Sequence, residues 1–451
     1  MALNELKKRV DYTDPGTERA KHKENMKTPL KMASKPFEGL NVIRNQKGAK
    51  KKNKVVNKSV RRTDVIAKVT GRARYTDDFD MPGMLFAKYF RSTIAHGKVT
   101  HISITKAKAV PGVEAVFTYK DVPQIYYSTA GHPHHLDPEQ REVADRLLLS
   151  QYVRFWEDAI AIVVGKDEIT VNKALELIEV EYDTYEPLIE LDQILAENAR
   201  EIHKGSKNTI AEHSLLSPFK DESDNELAFS DADIILDGDY RTSMVQHCHI
   251  ENHTAYAYME DTIHITIVTF TAIPHILRRI VTESLGITWS RVRIVKSYVG
   301  GAFGNKQDAV LEPMVTFLTM KLNGRPVRIT MSREECMTCT QNRHPMQVKL
   351  KTGIKKDGTM VARHTDAVSI TGAYASYGHS VLESGISWIN YLYPRMTFGY
   401  SIKTVYANIP TAGGVRGFGA PQIIFALESS LDDIARKAGI DEVEFRLKKC
   451  G

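Results

Sequence analysis

At 451 residues, 42% hydrophobic and 26% charged, the chain has apolar material for two or three domains, which excludes a disordered or fibrous class. No apolar run approaches the ~20 residues of a membrane span, and the stretch from Met1 to Arg9 is charged at once, so neither a spanning helix nor a signal peptide is expected. Four cysteines argue against a disulfide framework, and a cytoplasmic protein without membrane contact is expected.

Residues 1–62 stand apart as a basic arm. They hold 18 Lys and Arg against 6 Asp and Glu, a net of +12 where the whole chain is +6, so the body carries −6. With only Tyr12 and Phe37 as rings, the arm lacks a stacking platform for bases. A solvated segment laid over an acidic partner subunit is expected, and nucleic-acid binding is not. From Asp64 the texture changes. Short apolar runs at Met84–Arg91, Val113–Tyr119 and Ala159–Val164 read as strands, and Glu168–Ile178 has helical spacing. The group His132, His134 and His135 has no accompanying Cys or carboxylate at ligand spacing and reads as a loop. Residues 196–236 are polar and read as a linker.

The run Val245–Thr254 carries His247, Cys248, His249 and His253. On a strand, Cys248 would point away from the two flanking histidines, so one tetrahedral metal site is not expected. Cys336 and Cys339 form a lone pair without a second. Thr262–Thr271 alternates, with Ile263, Ile265 and Ile267 on one face. Further strands are expected at Ser290–Tyr298, Pro326–Thr330, Gln347–Thr352 and Ser401–Asn408, and a final helix at Pro421–Ala438.

Two stretches carry the chemistry. Gly300-Gly301-Ala302-Phe303-Gly304 follows a strand-like run and precedes apolar residues at helix spacing. Gly413-Gly414-Val415-Arg416-Gly417-Phe418-Gly419 follows another strand, with Pro421 suited to a first helical turn. Glycines let a backbone approach a ligand, and a loop opening a helix offers free amides. Neither stretch fits a nucleotide fingerprint, since Lys306 is followed by Gln307 rather than Ser or Thr. Each alone is equally a tight turn carrying a core Phe. Two of them suggest a cofactor gripped from two sides.

With Ile273–Ile280 and Gly372–Ser376, these loops resemble the molybdenum-binding subunit of the xanthine dehydrogenase and aldehyde oxidase family, of the bacterial xanthine dehydrogenase type. The resemblance runs from about Asp64 onward. It implies an α+β fold: a hammerhead-like domain over 63–195, then the first half of a molybdopterin-binding catalytic domain over 237–451. It also implies hydroxylation of a ring carbon in an N-heterocycle, with oxygen from water. A purine such as xanthine or hypoxanthine is the first choice and a nicotinate-type ring the alternative.

By the resemblance, Gly301, Ala302, Phe303, Gly304 and Arg416 hold a molybdenum–molybdopterin cofactor, and Phe303, Gln307 and Phe418 meet the substrate. The family's Gln at the end of one strand is Ala272 here, which leaves a cofactor-free scaffold as a further alternative. Vertebrate xanthine oxidases carry an Arg where the resemblance puts Ser384. No metal ligand or general base is expected in this chain: Glu312 and Glu428 lie within or beside helices, and the family's base lies in a second catalytic half. A second molybdopterin subunit is therefore expected to share the cofactor, with the enzyme active only alongside it. The chain has no Cys clusters for iron–sulfur ligation and no flavin fingerprint, so iron–sulfur clusters and FAD are expected on other subunits.

Overall fold

The computed structural model describes residues 54–130, 143–217 and 227–448. The chain forms two compact units, Met1–Val69 and Thr70–Gly451. In the first, the described residues hold one short helix, Val65–Val69, with Arg62 and Lys68 at 2.8 and 2.9 Å from the Asp64 carboxylate. Most of the basic arm, residues 1–53, and the His132–His135 group lie outside the described residues.

The second unit is α+β. Its strands are β1 (Leu85–Arg91), β2 (Gly97–Ser103), β3 (Val113–Thr118), β4 (Tyr152–Val153), β5 (Ala159–Gly165), β6 (Glu179–Thr184), β7 (Thr209–Ser217), β8 (Ile234–Thr242), β9 (Thr254–Met259), β10 (Ile265–Thr269), β11 (Val292–Lys296), β12 (Val327–Thr330), β13 (Met346–Ile354), β14 (Met360–Gly372) and β15 (Thr397–Tyr406). The longer helices are α1 (Glu168–Leu175), α2 (Pro274–Leu285), α3 (Glu312–Lys321), α4 (Gly378–Leu392) and α5 (Ala420–Lys437). Three sheets result, in the orders β11-β10-β9-β12-β1-β5-β3, β7-β15-β14-β13-β8 and β4-β2-β6.

The apolar run of β5 follows from burial on both faces. Ile162 and Val164 enter the main core with Leu277, Val315 and Leu318 of α2 and α3, while Val163 packs with Val171 and Ala174 of α1. A second core joins Val348, Leu350 and Ile354 of β13 to Val381, Leu382 and Ile386 of α4 and to Ile423, Leu427 and Leu431 of α5. Asp167 caps α1 by accepting from the Thr170 amide, and Gly286 closes α2 in the left-handed region.

Several expectations change. The seven-stranded sheet mixes strands from both expected domains: β1 pairs in parallel with β12, Leu85 opposite Val327. Residues 196–236 are more than a linker, because β7 hydrogen-bonds β15 over most of its length. Residues 245–253 are irregular apart from a bridge at Gln246, and Cys248 takes φ +52°, so strand alternation does not apply there. The strand after it begins at Ile265, leaving Ile263 exposed and only Ile265 and Ile267 in the core. Helix α3 starts at Glu312, well past the Phe303 loop, so that loop does not open it. Among the described residues no helix is long and apolar enough to cross a membrane, and no group of three His, Cys, Asp or Glu could hold a metal ion.

Candidate functional site

The two glycine loops meet. The Arg416 amide donates to the Phe303 carbonyl at 2.8 Å, and a Cβ on Gly304 would lie 2.5 Å from the carbonyl carbon of Gly414. Only glycine fits there, and Gly304 also takes φ +114°. Gly414 sits between two expected substrate contacts: a Cβ there would touch Gln307 Oε1 at 3.0 Å and the Phe418 ring at 3.4 Å. Gly419 takes φ +90° directly before α5, with Pro421 in the first turn as its fixed φ favours.

Expected cofactor residues cluster accordingly. The backbone amides of Gly301, Ala302, Phe303 and Gly304 have no acceptor among the described residues. Phe303 is half exposed, with φ +52°, and Arg416 is exposed beside it. Four unengaged amides in a cradle that a Cβ would fill suit a ligand rich in oxygen or sulfur acceptors, as molybdopterin is. Phe418 is half-buried, its ring edge-on to Tyr377 at 5.8 Å, and the Tyr377 hydroxyl donates to the Gln307 carbonyl at 3.1 Å. Ala272 is exposed, and its amide donates to the Lys306 carbonyl at 2.8 Å.

Behind the Phe303 loop lies a buried polar frame. Lys306, with its side chain fully buried, pairs with Glu251 at 2.6 Å and stands 3.8 Å over the Phe270 ring. The same Glu251 oxygen accepts the Gly300 amide at 2.6 Å. Burial pulls the Lys306 amine below its ordinary value, and the ion pair with Glu251 opposes this. His249 accepts from the Asn305 amide at 3.1 Å, so its other ring nitrogen carries the proton that is donated to the Glu251 carbonyl at 2.6 Å. Burial, and then Lys306, lowers the His249 pKa to about 4, and burial takes His253 well below its ordinary value. His247 bridges to the other loop, with ring nitrogens 2.9 Å from the Gly414 carbonyl oxygen and 3.1 Å from that of Gln341. His249 and His253 thus serve as neutral struts. Sequence patterning picks out these residue types but not their role, because most of their partners lie 49 to 167 residues away in the chain.

A family model described as "Molybdopterin cofactor-binding domain" matches residues 202–450, and one described as "Aldehyde oxidase and xanthine dehydrogenase, a/b hammerhead domain" matches residues 70–186. The chain belongs to the xanthine dehydrogenase and aldehyde oxidase family of molybdenum hydroxylases. Among its family relatives, the putative xanthine dehydrogenase molybdenum-binding subunit XdhA of Escherichia coli K12 is 49% identical over 387 residues, 86% of this chain and 51% of XdhA. The chain thus spans about half the length of that relative. It also matches the nicotinate dehydrogenase large molybdopterin subunit of Eubacterium barkeri at 32% identity, covering 87% of this chain and 88% of that one. The solved aldehyde oxidoreductase of Desulfovibrio desulfuricans superposes with TM-score 0.80 at 25% identity, over 87% of this chain and 43% of that one.

Both glycine loops fall within the residues matched by the molybdopterin cofactor-binding model. The two carboxylates weighed as bases are committed elsewhere. Glu312, buried, accepts from the Thr269 hydroxyl at 2.7 Å and from the amides of Val310 and Leu311, and burial raises its pKa. Glu428 pairs with Arg446 at 2.8 Å and accepts from the Tyr393 hydroxyl at 2.9 Å. Ser384 lies on α4 next to Gly385, where a Cβ would meet the Gly419 carbonyl at 3.0 Å, so this helix abuts the second loop.

Proposed function

We propose that this chain is a molybdopterin-binding subunit of a hydroxylase that oxidises a ring carbon of an N-heterocycle, a purine such as xanthine or hypoxanthine first, with oxygen taken from water. The observation that carries this reading is the closed pair of glycine loops, tied by the Arg416–Phe303 hydrogen bond, with four free amides beside an exposed phenylalanine. When bound, molybdenum–molybdopterin would supply the two-electron redox chemistry of the hydroxylation.

The chain's own residues bind and orient. Gly301, Ala302, Phe303 and Gly304 offer amides to the cofactor, and Arg416 holds the second loop against the first. Phe303 and Phe418 place a planar substrate between ring faces, each such pair worth about 0.5–1.5 kcal/mol beyond burial. Gln307 contributes an amide for a ring nitrogen or carbonyl. The proton acceptor comes from a second molybdopterin subunit, since a base must come within roughly 3 Å of the proton it takes, and Glu312 and Glu428 are engaged elsewhere. Iron–sulfur and FAD subunits receive the electrons.

A nicotinate-type ring is the second reading, favoured by the nicotinate dehydrogenase subunit that this chain spans almost end to end. The test is to purify the assembled complex from a molybdate-replete host, measure molybdenum and pterin, and compare turnover of xanthine, hypoxanthine and nicotinate. Stoichiometric cofactor with purine turnover is expected. Turnover of nicotinate alone would move the assignment to the second reading, and a complex lacking both molybdenum and pterin would make the chain a scaffold.

A further inference from the structure

Next to the two loops lies a cavity of about 40 Å³, lined by Asp308, Gln341 and Thr411 among others. Four residues that line it each bury a side-chain polar atom with no partner among the described residues: Arg91 Nη2, Asp308 Oδ1, Gln341 Oε1 and Thr411 Oγ1. The remaining polar atoms of these side chains are largely engaged. Arg91 donates to Glu335 at 2.8 Å and to the Glu157 carbonyl at 3.3 Å. Asp308 Oδ2 accepts from Thr129 at 3.0 Å, from Ser376 at 2.8 Å and from the Gln341 amide. A buried polar atom without a hydrogen bond costs roughly 1–3 kcal/mol, so four around one cavity call for a common partner.

We propose that this cavity is a built internal hydration site whose waters join the two glycine loops. Asp308 directly follows Gln307 at the end of the first loop, and Thr411 stands two residues before Gly413 in the second. Gln341 touches both: its amide donates to Asp308, and its side chain occupies the space a Cβ on Gly413 would take. The volume takes roughly two or three waters. The chemistry of the lining selects water over an ion. A cation would suit the three oxygens but would face the guanidinium groups of Arg91 and Arg146, which also line the cavity. An anion would suit the arginines but would face the Asp308 carboxyl and the Gln341 carbonyl oxygen. Water donates to the oxygens and accepts from Arg91, so it satisfies all four atoms. Burial raises the Asp308 pKa to about 7.

Asp308, Gln341 and Thr411 are thus positioning residues, acting on the loops through water, whatever ligand the loops hold. The experiment is oxygen-17 magnetic relaxation dispersion on the full chain in its complex, comparing the native protein with Thr411→Val and Gln341→Met. Thr411→Val keeps the side-chain shape and removes one partner of the water, and Gln341→Met keeps the side-chain length and removes another together with the amide donated to Asp308 and Ser376. The native protein should show more long-lived waters than either variant by at least one. Hydrogen exchange should rise several-fold in peptides from both loops in the Thr411→Val protein. Equal water counts would overturn the site, and faster exchange confined to the second loop would overturn the coupling. If either variant does not fold, a high-resolution crystal structure of the native protein decides. Ordered waters in the cavity support the inference, and anomalous scattering there from rubidium or bromide in soaked crystals overturns it.

Discussion

Replacing Gly304 with alanine tests the closed pair of loops directly. A Cβ there would lie 2.5 Å from the Gly414 carbonyl carbon, against the ~3.5–4.0 Å of an ordinary carbon–carbon contact, so the loops must part by at least about 1 Å. The φ of +114° adds strain of about 1–3 kcal/mol for a residue with a Cβ. Gly301→Ala is the matched control, because φ is +100° there but the nearest atom, the Cβ of His249, is 3.3 Å away. The control should show the strain alone, whereas Gly304→Ala should also lose the Arg416–Phe303 hydrogen bond and the register between the loops. A displacement of about 1 Å at a reacting centre costs roughly 100-fold in rate. Both variants would be assayed in the assembled complex by urea denaturation, molybdenum content and turnover. The reasoning is refuted if Gly304→Ala matches Gly301→Ala in stability, cofactor content and rate.

Further outcomes follow from the same geometry. Glu251→Gln should lower unfolding stability by about 3–5 kcal/mol in denaturant titrations, because it strands the buried Lys306 ammonium. A protein as stable as the native one would show that Lys306 is not held by that pair. Asp308 has a folded pKa of about 7 against an ordinary 3.8, so the native state keeps a proton that the unfolded chain has released. Its contribution is fully present below about pH 4 and is lost as pH rises towards 7, a change on the order of 4 kcal/mol. Asp308→Asn should remove that component of the stability–pH profile, leaving the same-sign slopes of Asp145, Asp158 and Glu312, whose pKa values burial raises, and the opposite slope of His249, whose pKa is lowered to about 4. Phe418→Ala should impair turnover while costing well under the ~3–5 kcal/mol of a fully buried Phe, since the ring is only half-buried. Ala272→Gln, at an exposed position beside the Lys306 carbonyl, should raise molybdenum retention or rate by roughly 10-fold or more. No gain in either would show that position 272 does not face the cofactor.

The strands were legible where one local pattern decided them. The unbroken apolar run of β5 corresponds to burial in the structure, whereas the alternation read at Ile265 and Ile267 does not, because β10 is buried on both faces and Thr266 with it. The helix α4 was not legible: His379, Ser380, Ser384, Gly385 and Ser387 are poor helix formers, and it holds through the packing of Val381, Leu382 and Ile386 on α5. β7 hid in polar sequence because its ladder with β15, not an apolar face, fixes it. The glycine loops announced themselves through composition. Their frame did not, because Glu251, Gln341 and Ser376 reach the loops from distant parts of the chain, where spacing carries no signal.

The parallel pairing of β1 with β12 has a consequence for how the protein is made. Leu85 leaves the ribosome long before its partner Val327, and at about 5–20 residues per second the delay is roughly 12–48 s. During that interval one edge of β1 is an unpaired strand flanked by β5, open to pairing with another nascent chain. The first 195 residues therefore do not complete their sheet before the rest arrives. Such non-local order makes folding slow for its size, and it predicts that the polypeptide leans on chaperones during synthesis.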